Sequence, residues 1–176
     1  MNLIDELTKY FSSHLPRLEE MRSYYQGLTL ESAIKNAAAG IESEEKMSSH
    51  QYRIGKKKGV IAANEMLKYK RTLSACRTFE DIFKITEQVK NSIVRLGDLW
   101  SYDTALRIGF KLDILPAEVY VQSGVVDGVK KALNGKRPKG RSIPLSIFPE
   151  KFQQLTPYQA ENFLCIWGKE KSNSNC

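Results

Sequence analysis

The sequence has no apolar run approaching the ~20 residues of a membrane span, so a transmembrane helix is excluded as an expectation. Its start, Met1-Asn2-Leu3-Ile4-Asp5-Glu6, lacks a basic segment followed by an apolar one, so no secretory signal is expected. Cysteine is scarce: Cys76, Cys165 and Cys176 are far apart, with no CxxC pair. That excludes a disulfide framework and a cysteine-rich zinc site, and makes a reducing cytoplasmic setting the expectation. Histidine is scarcer still, with only His14 and His50. A His-based metal site would need carboxylate partners that no spacing identifies, so no metal and no cofactor are expected. The phosphate-loop frame GxxxxGK[ST], HExxH, a dinucleotide fingerprint, a nucleophile elbow and a carboxylate pair at catalytic spacing are all missing.

What is present suits a globular chain of 176 residues with 41% hydrophobic and 27% charged side chains. This length fits one domain with a core that needs no staples. The expectation is a single helical domain over residues 1–171 with a flexible tail over 172–176. Charge is distributed unevenly. Residues 1–50 carry a net charge of −3, residues 51–100 carry +6, residues 101–141 carry +4, and residues 142–176 are neutral. The positive excess therefore lies entirely between Arg53 and Arg141. A basic middle flanked by an acidic start and a neutral end points to a polyanionic partner. The competing reading is a solvated basic face.

Helix signals dominate. Leu3, Ile4, Leu7, Tyr10 and Phe11 place one apolar face on a helix over 2–13, which Pro16 is expected to interrupt. A second helix is predicted over 17–26, ending at Gly27. A third runs over 30–39, with Thr29 as N-cap and Gly40 as stop. Residues 41–59 read as a loop or short strand, and 59–75 as a long helix. Thr78 opens the clearest helix, with Glu80 and Asp81 in its first turn and Phe79, Ile82, Phe83, Val89, Ile93 and Leu96 along its stripe. A helix over 98–110 follows. Pro116 opens a short helix, and Ser123 caps another over 124–133. Thr156 and Pro157 start the last, which stops at Gly168. Residues 118–122 read as a strand without a partner. The predicted class is all-α, with seven to nine short helices and a helix–hairpin–helix-like element.

Two basic clusters stand out. Gly55-Lys56-Lys57-Lys58-Gly59 is placed just before a helix, with Arg53 extending it. Lysines at a helix start oppose the dipole, and a bound anion reverses that sign. Lys136, Arg137, Lys139 and Arg141 form a second cluster in a Gly- and Pro-punctuated loop over 134–144. Phosphate contacts need only positive reach and adaptable geometry, which such a loop supplies. Asp103 and Arg107 are one helical turn apart. They form either a supporting pair on a helix or a fixed polar element between helices. Cys165, in an apolar helix, reads as an inert core residue.

The motifs His50-Gln51-x-Arg53-Ile54, Leu99-x-x-Tyr102-Asp103-Thr104-Ala105-Leu106-Arg107-Ile108-Gly109, Pro116-x-x-Val119-Tyr120 and Phe163-Leu164-Cys165-Ile166 resemble, in order and spacing, those of an uncharacterised bacterial family. This resemblance covers most of the chain. It implies a shared fold and one polar site made of His50, Gln51, Arg53, Tyr102, Asp103 and Arg107. A second resemblance covers residues 78–133. A helix, a turn at Arg95-Leu96-Gly97 and a helix containing Thr104-Ala105 are similar to the helix–hairpin–helix of base-excision DNA glycosylases. It implies hairpin amides, around residues 96–99, that grip a DNA phosphate. The chain departs from that pattern at Arg95, which replaces a glycine. The family's aspartate position falls near Gln122, with Asp127 five residues on.

The leading expectation is a nucleic-acid binder, with DNA preferred over RNA, that has no catalytic centre of its own. Arg53, Lys56, Lys57, Lys58, Lys136, Arg137, Lys139 and Arg141 would contact phosphates. The alternative is a glycosylase-like enzyme acting on a nucleotide or nucleobase. There His50 would be the acid–base, Asp103 its orienting partner, and Arg53 and Arg107 the anion holders. A third class is a helical protein-interaction module, marked by an exposed apolar patch. The sequence sets no oligomeric state.

Overall fold

Thr29 and Thr78, each followed by a carboxylate in the first turn, cap two of the helices. The computed structural model describes residues 3–43, 46–47, 55–122, 124–136 and 139–169. The helices are α1 (Leu3–Lys9), α2 (Leu15–Gly27), α3 (Leu30–Ala39), α4 (Lys56–Lys68), α5 (Lys70–Ala75), α6 (Phe79–Ser92), α7 (Asp98–Leu112), α8 (Val126–Ala132) and α9 (Pro157–Lys169). Short strands β1 (Ile41–Ser43) and β2 (Lys46–Met47) form one antiparallel pair; β3 (Val119–Tyr120) and β4 (Ser142–Ile143) form another. With 72% helix and 5% strand, the all-α class holds, and the helices fall within the expected seven to nine. The chain gathers into two compact units: residues 1–18 with 116–176, and residues 19–115. The tail expected over 172–176 lies outside the described residues.

The second unit is built on α3. Thr29 caps it, its hydroxyl accepting from the Ser32 amide at 3.1 Å, and Gly40 closes it at φ +77°. Its buried face is made of Ala33, Ile34, Ala37 and Ala38. Small side chains let two helices approach closely. Gly59 of α4 sits where a Cβ would be 3.4 Å from Ala39 Cα. On α7, Trp100 Nε1 donates to Ala38 O at 3.0 Å. Helix α6 opens with a capping box between Thr78 and Asp81. It buries Phe79, Ile82, Phe83 and Val89 and packs on α7; it ends at Ser92, so Ile93 and Leu96, expected on the same stripe, lie beyond it.

In the first unit, α8 and α9 pack through glycines. A Cβ on Gly128 would lie 2.1 Å from Leu164 O, and one on Gly168 would lie 2.6 Å from Gly128 N. Tyr10 anchors the N-terminal segment to α9: its hydroxyl donates to Gln159 O at 3.1 Å, and its ring meets Phe163 edge-on at 5.4 Å. Phe148, Phe152, Leu155, Phe163 and Leu164 fill the core of this unit with Val119, Val125 and Val129.

Several local expectations are corrected. Pro16 does not break the N-terminal helix. A π-helical turn, Tyr10–His14, precedes it, and the Leu15 amide donates to Tyr10 O five residues back. The regular i→i−4 ladder is already interrupted there, so the missing proline N–H is tolerated. The helix expected over 59–75 begins earlier, at Lys56, and breaks at Tyr69 into α4 and α5. No helix opens at Pro116, and the strand expected alone is paired, Val119 facing Ile143 and Tyr120 facing Ser142. Helix α9 runs through Gly168, which is a packing glycine and not a stop. The N-cap of α7 is Gly97, one residue before Asp98.

Candidate functional site

Helix α7 carries Tyr102, Asp103 and Arg107 on adjacent turns. Arg107 is only 3% exposed. Its Nη2 lies 3.8 Å from Glu42 Oε1, on β1, a partner the sequence reading did not include. Its Nε and Nη1 are buried and have no hydrogen-bond partner among the described residues. Beside it, Tyr25 of α2 is fully buried, with its hydroxyl donating to Ile41 O at the start of β1. Burial pushes the Tyr25 phenol well above its ordinary range; Arg107 opposes the rise, while Tyr24, Glu42 and Asp103 add to it. Arg107, Tyr24, Glu42 and Asp103 therefore all lie within electrostatic reach of the Tyr25 hydroxyl. Tyr102 points elsewhere: its ring packs edge-on against Phe79 at 5.9 Å and Phe83 at 6.5 Å. It is a core residue of α6 and α7. His50, Gln51 and Arg53 lie outside the described residues.

Tyr25, Tyr24 and Glu42 were not singled out in the sequence. Glu42 stands in an acidic run, and the two tyrosines read as helix residues. Only the β1 backbone, which brings Glu42 and Ile41 to α2 and α7, reveals the grouping.

The basic clusters fall in different units. In the first unit, α8 ends in Lys130 and Lys131. Lys130 pairs with Asp127 at 3.2 Å. Lys131 donates to Trp167 O at 2.6 Å, with its ammonium 5.7 Å from the Trp167 ring centroid. The chain then turns through Asn134 and Gly135, both in left-handed backbone at φ +53° and +86°. Lys136, Lys139 and Arg141 are exposed; Arg137 lies outside the described residues. The loop is tied down at its far end, where the Val121 amide donates to Arg141 O at 2.8 Å and Ser142 Oγ donates to Glu118 at 2.6 Å.

In the second unit, Lys56, Lys57 and Lys58 occupy the first turn of α4 and not a loop before it. Gly55 is the N-cap, in left-handed backbone at φ +78°. Lys57 is exposed and Lys58 half-buried.

Residues 93–97, which include the Arg95-Leu96-Gly97 segment, connect α6 to α7. Arg95 stands at φ +71°, a conformation suited to glycine, and the Leu96 amide donates to Ile93 O at 3.3 Å. Lys90 pairs with Asp98 at 2.6 Å across the turn. Gln122 is 8% exposed, and neither amide atom of its side chain has a described hydrogen-bond partner. His14 lines a shallow surface groove with Glu6, Lys9, Tyr10, Phe163, Ile166 and Trp167. Cys165 is half-buried, not a full core residue. Burial pushes the Cys76 thiol up, away from the thiolate form.

Among the described residues no helix is long and apolar enough to cross a membrane. Comparison with protein-family models, with curated proteins and with solved structures finds no match.

Proposed function

We propose that the protein binds nucleic acid, DNA in preference to RNA, through phosphate contacts and without a catalytic centre of its own. The basic stretch of the first unit carries this reading. Lys130, Lys131, Lys136, Arg137, Lys139 and Arg141 fall within twelve residues, and no acidic residue occurs from 128 to 149. Lys136, Lys139 and Arg141 are exposed on a loop fixed at both ends by α8 and β4. Such a loop suits a polyanion, whose backbone asks for charge and reach more than for fixed geometry. The lysines in the first turn of α4 add a second contact, since an anion there offsets their poor fit with the helix dipole. The test is fluorescence anisotropy with short single- and double-stranded DNA and RNA at two salt concentrations. Binding of about micromolar affinity or tighter, falling steeply with salt, is expected. Binding without a salt slope rejects the reading.

One observation favours a second reading, an enzyme acting on a nucleotide or nucleobase. It is the burial of Arg107 beside Glu42, one helical turn from Asp103. In that reading His50 is the acid–base and Asp103 orients it. Turnover of a nucleotide panel that is abolished by His50→Ala would support it; no turnover of any member would reject it.

A further inference from the structure

A guanidinium presents five N–H donors and cannot shed its charge. Buried away from water, it is stable only when paired and hydrogen-bonded. Arg107, at 3% exposure, is paired only at long range and leaves two of its donor nitrogens without a hydrogen bond within the described structure. Its ion pair with Glu42, at 3.8 Å, is too long for a hydrogen bond. Its Nε and Nη1 have no hydrogen-bond partner there. The Tyr25 hydroxyl donates to Ile41 O and keeps its lone pairs, but neither Nε nor Nη1 of Arg107 bonds to them. The open donors therefore face a position that wants an acceptor.

The surrounding charge narrows what that acceptor is. Arg107 contributes one positive charge, while Glu42 and Asp103 contribute two negative ones in the same neighbourhood. A phosphate or carboxylate would meet both carboxylates as well as the guanidinium, so repulsion would exceed attraction. An uncharged edge avoids this. A carbonyl oxygen accepts from Arg107, and an adjacent N–H donates to a carboxylate. Both carboxylates are within reach of solvent: the Glu42 side chain is 31% exposed and Asp103 is half-buried.

We infer that Arg107, with Glu42 and Asp103, binds an uncharged ligand whose edge places a carbonyl oxygen beside an N–H, the lactam pattern of guanine and uracil bases. This site lies in the second unit and needs none of the phosphate contacts proposed above. Free nucleosides carry no phosphate, so failure of either proposal leaves the other standing.

The test uses the full chain with ¹⁵N-labelled arginine. The Arg107 Nε–H correlation is assigned by its loss in Arg107→Lys. Guanosine and uridine are expected to shift it and to slow its exchange with water by roughly tenfold, the effect of one hydrogen bond. Adenosine, which has no carbonyl, and inorganic phosphate should leave it unmoved. A shift with phosphate alone, or with adenosine equally, overturns the assignment. So does a correlation already protected without ligand and moved by no nucleoside, which would mean that the chain itself satisfies Arg107. As a second measurement, Arg107→Met should abolish the guanosine response and melt no lower than the parent, because apolar volume replaces a buried, poorly paired charge. A clear fall in melting temperature, or failure to fold, would make Arg107 structural and overturn the proposal.

Discussion

At the scale of single residues, Thr78 and Asp81 show how local chemistry sets a helix start. The Thr78 hydroxyl accepts from the Asp81 amide at 3.2 Å, and Asp81 accepts in return from the Thr78 amide at 3.0 Å and the Arg77 amide at 3.2 Å. Thr78→Ala is expected to destabilise the protein by about 1 kcal/mol, read by urea denaturation. Hydrogen bonding from the Thr78 side chain, then from the Arg77 and Thr78 amides, holds the Asp81 carboxyl below the usual aspartate range. The sign of the pH dependence follows. A lowered folded-state value stabilises the protein above the unfolded value and loses that contribution as pH falls through the folded one. The stability gap between the parent and Asp81→Asn should therefore be open at neutral pH and close below the ordinary aspartate value of about 3.9. A gap that stays constant across this range would show that the carboxylate contributes nothing through its charge. This cap was legible in the sequence because every partner lies within four residues. The grouping at Arg107 was legible only in part. Asp103 lies one turn away on the same helix, but Glu42 and Tyr25 come from elements remote in sequence, and nothing in their local spacing announces the meeting.

At the scale of elements, glycine carried two meanings that composition does not separate. Gly40 ends α3 in left-handed backbone, and there the reading of glycine as a stop holds. Gly168 and Gly59 lie inside helices, where a neighbouring backbone leaves no room for a side chain. The same ambiguity explains why a helix is expected to begin at Gly59 and α9 to end at Gly168. Strand β3 was misjudged for a related reason: its partner, Ser142–Ile143, closes a loop that the intervening basic run disguised. The packing account makes a prediction by contrast. Gly128→Ala places a methyl where Leu164 O would be 2.1 Å away, and this carbonyl belongs to a helix backbone that cannot swing aside. Destabilisation of about 1–3 kcal/mol or more is expected, as for other overpacked sites. Gly27→Ala, at a helical position with nothing within 4 Å of the added Cβ, should be neutral or slightly stabilising. Chemical denaturation of the two variants side by side separates them. Equal effects would mean that the α8–α9 contact is not as tight as the structure draws it.

At the scale of the whole molecule, fold class was readable from periodicity and caps, because most helices here are decided by residues near in sequence. The division into residues 1–18 with 116–176 and residues 19–115 was not, since it joins the two ends of the chain. That division bears on the proposed function, because it distributes the positive charge over both units. Each neutralised phosphate contributes to the salt dependence of binding with a slope of about −0.9 per contact on duplex DNA. Changing Lys136, Lys139 and Arg141 together to Gln should therefore make the slope of log affinity against log salt shallower by up to about 3. Lys57→Gln with Lys58→Gln should reduce it by up to about 2. If both regions grip the same stretch of DNA, the two reductions add in the combined variant. If only the loop over 134–144 binds, the α4 pair leaves the slope unchanged while the loop variant removes most of it. A slope untouched by either set would mean that these two clusters are solvated surface and that other cations make the phosphate contacts.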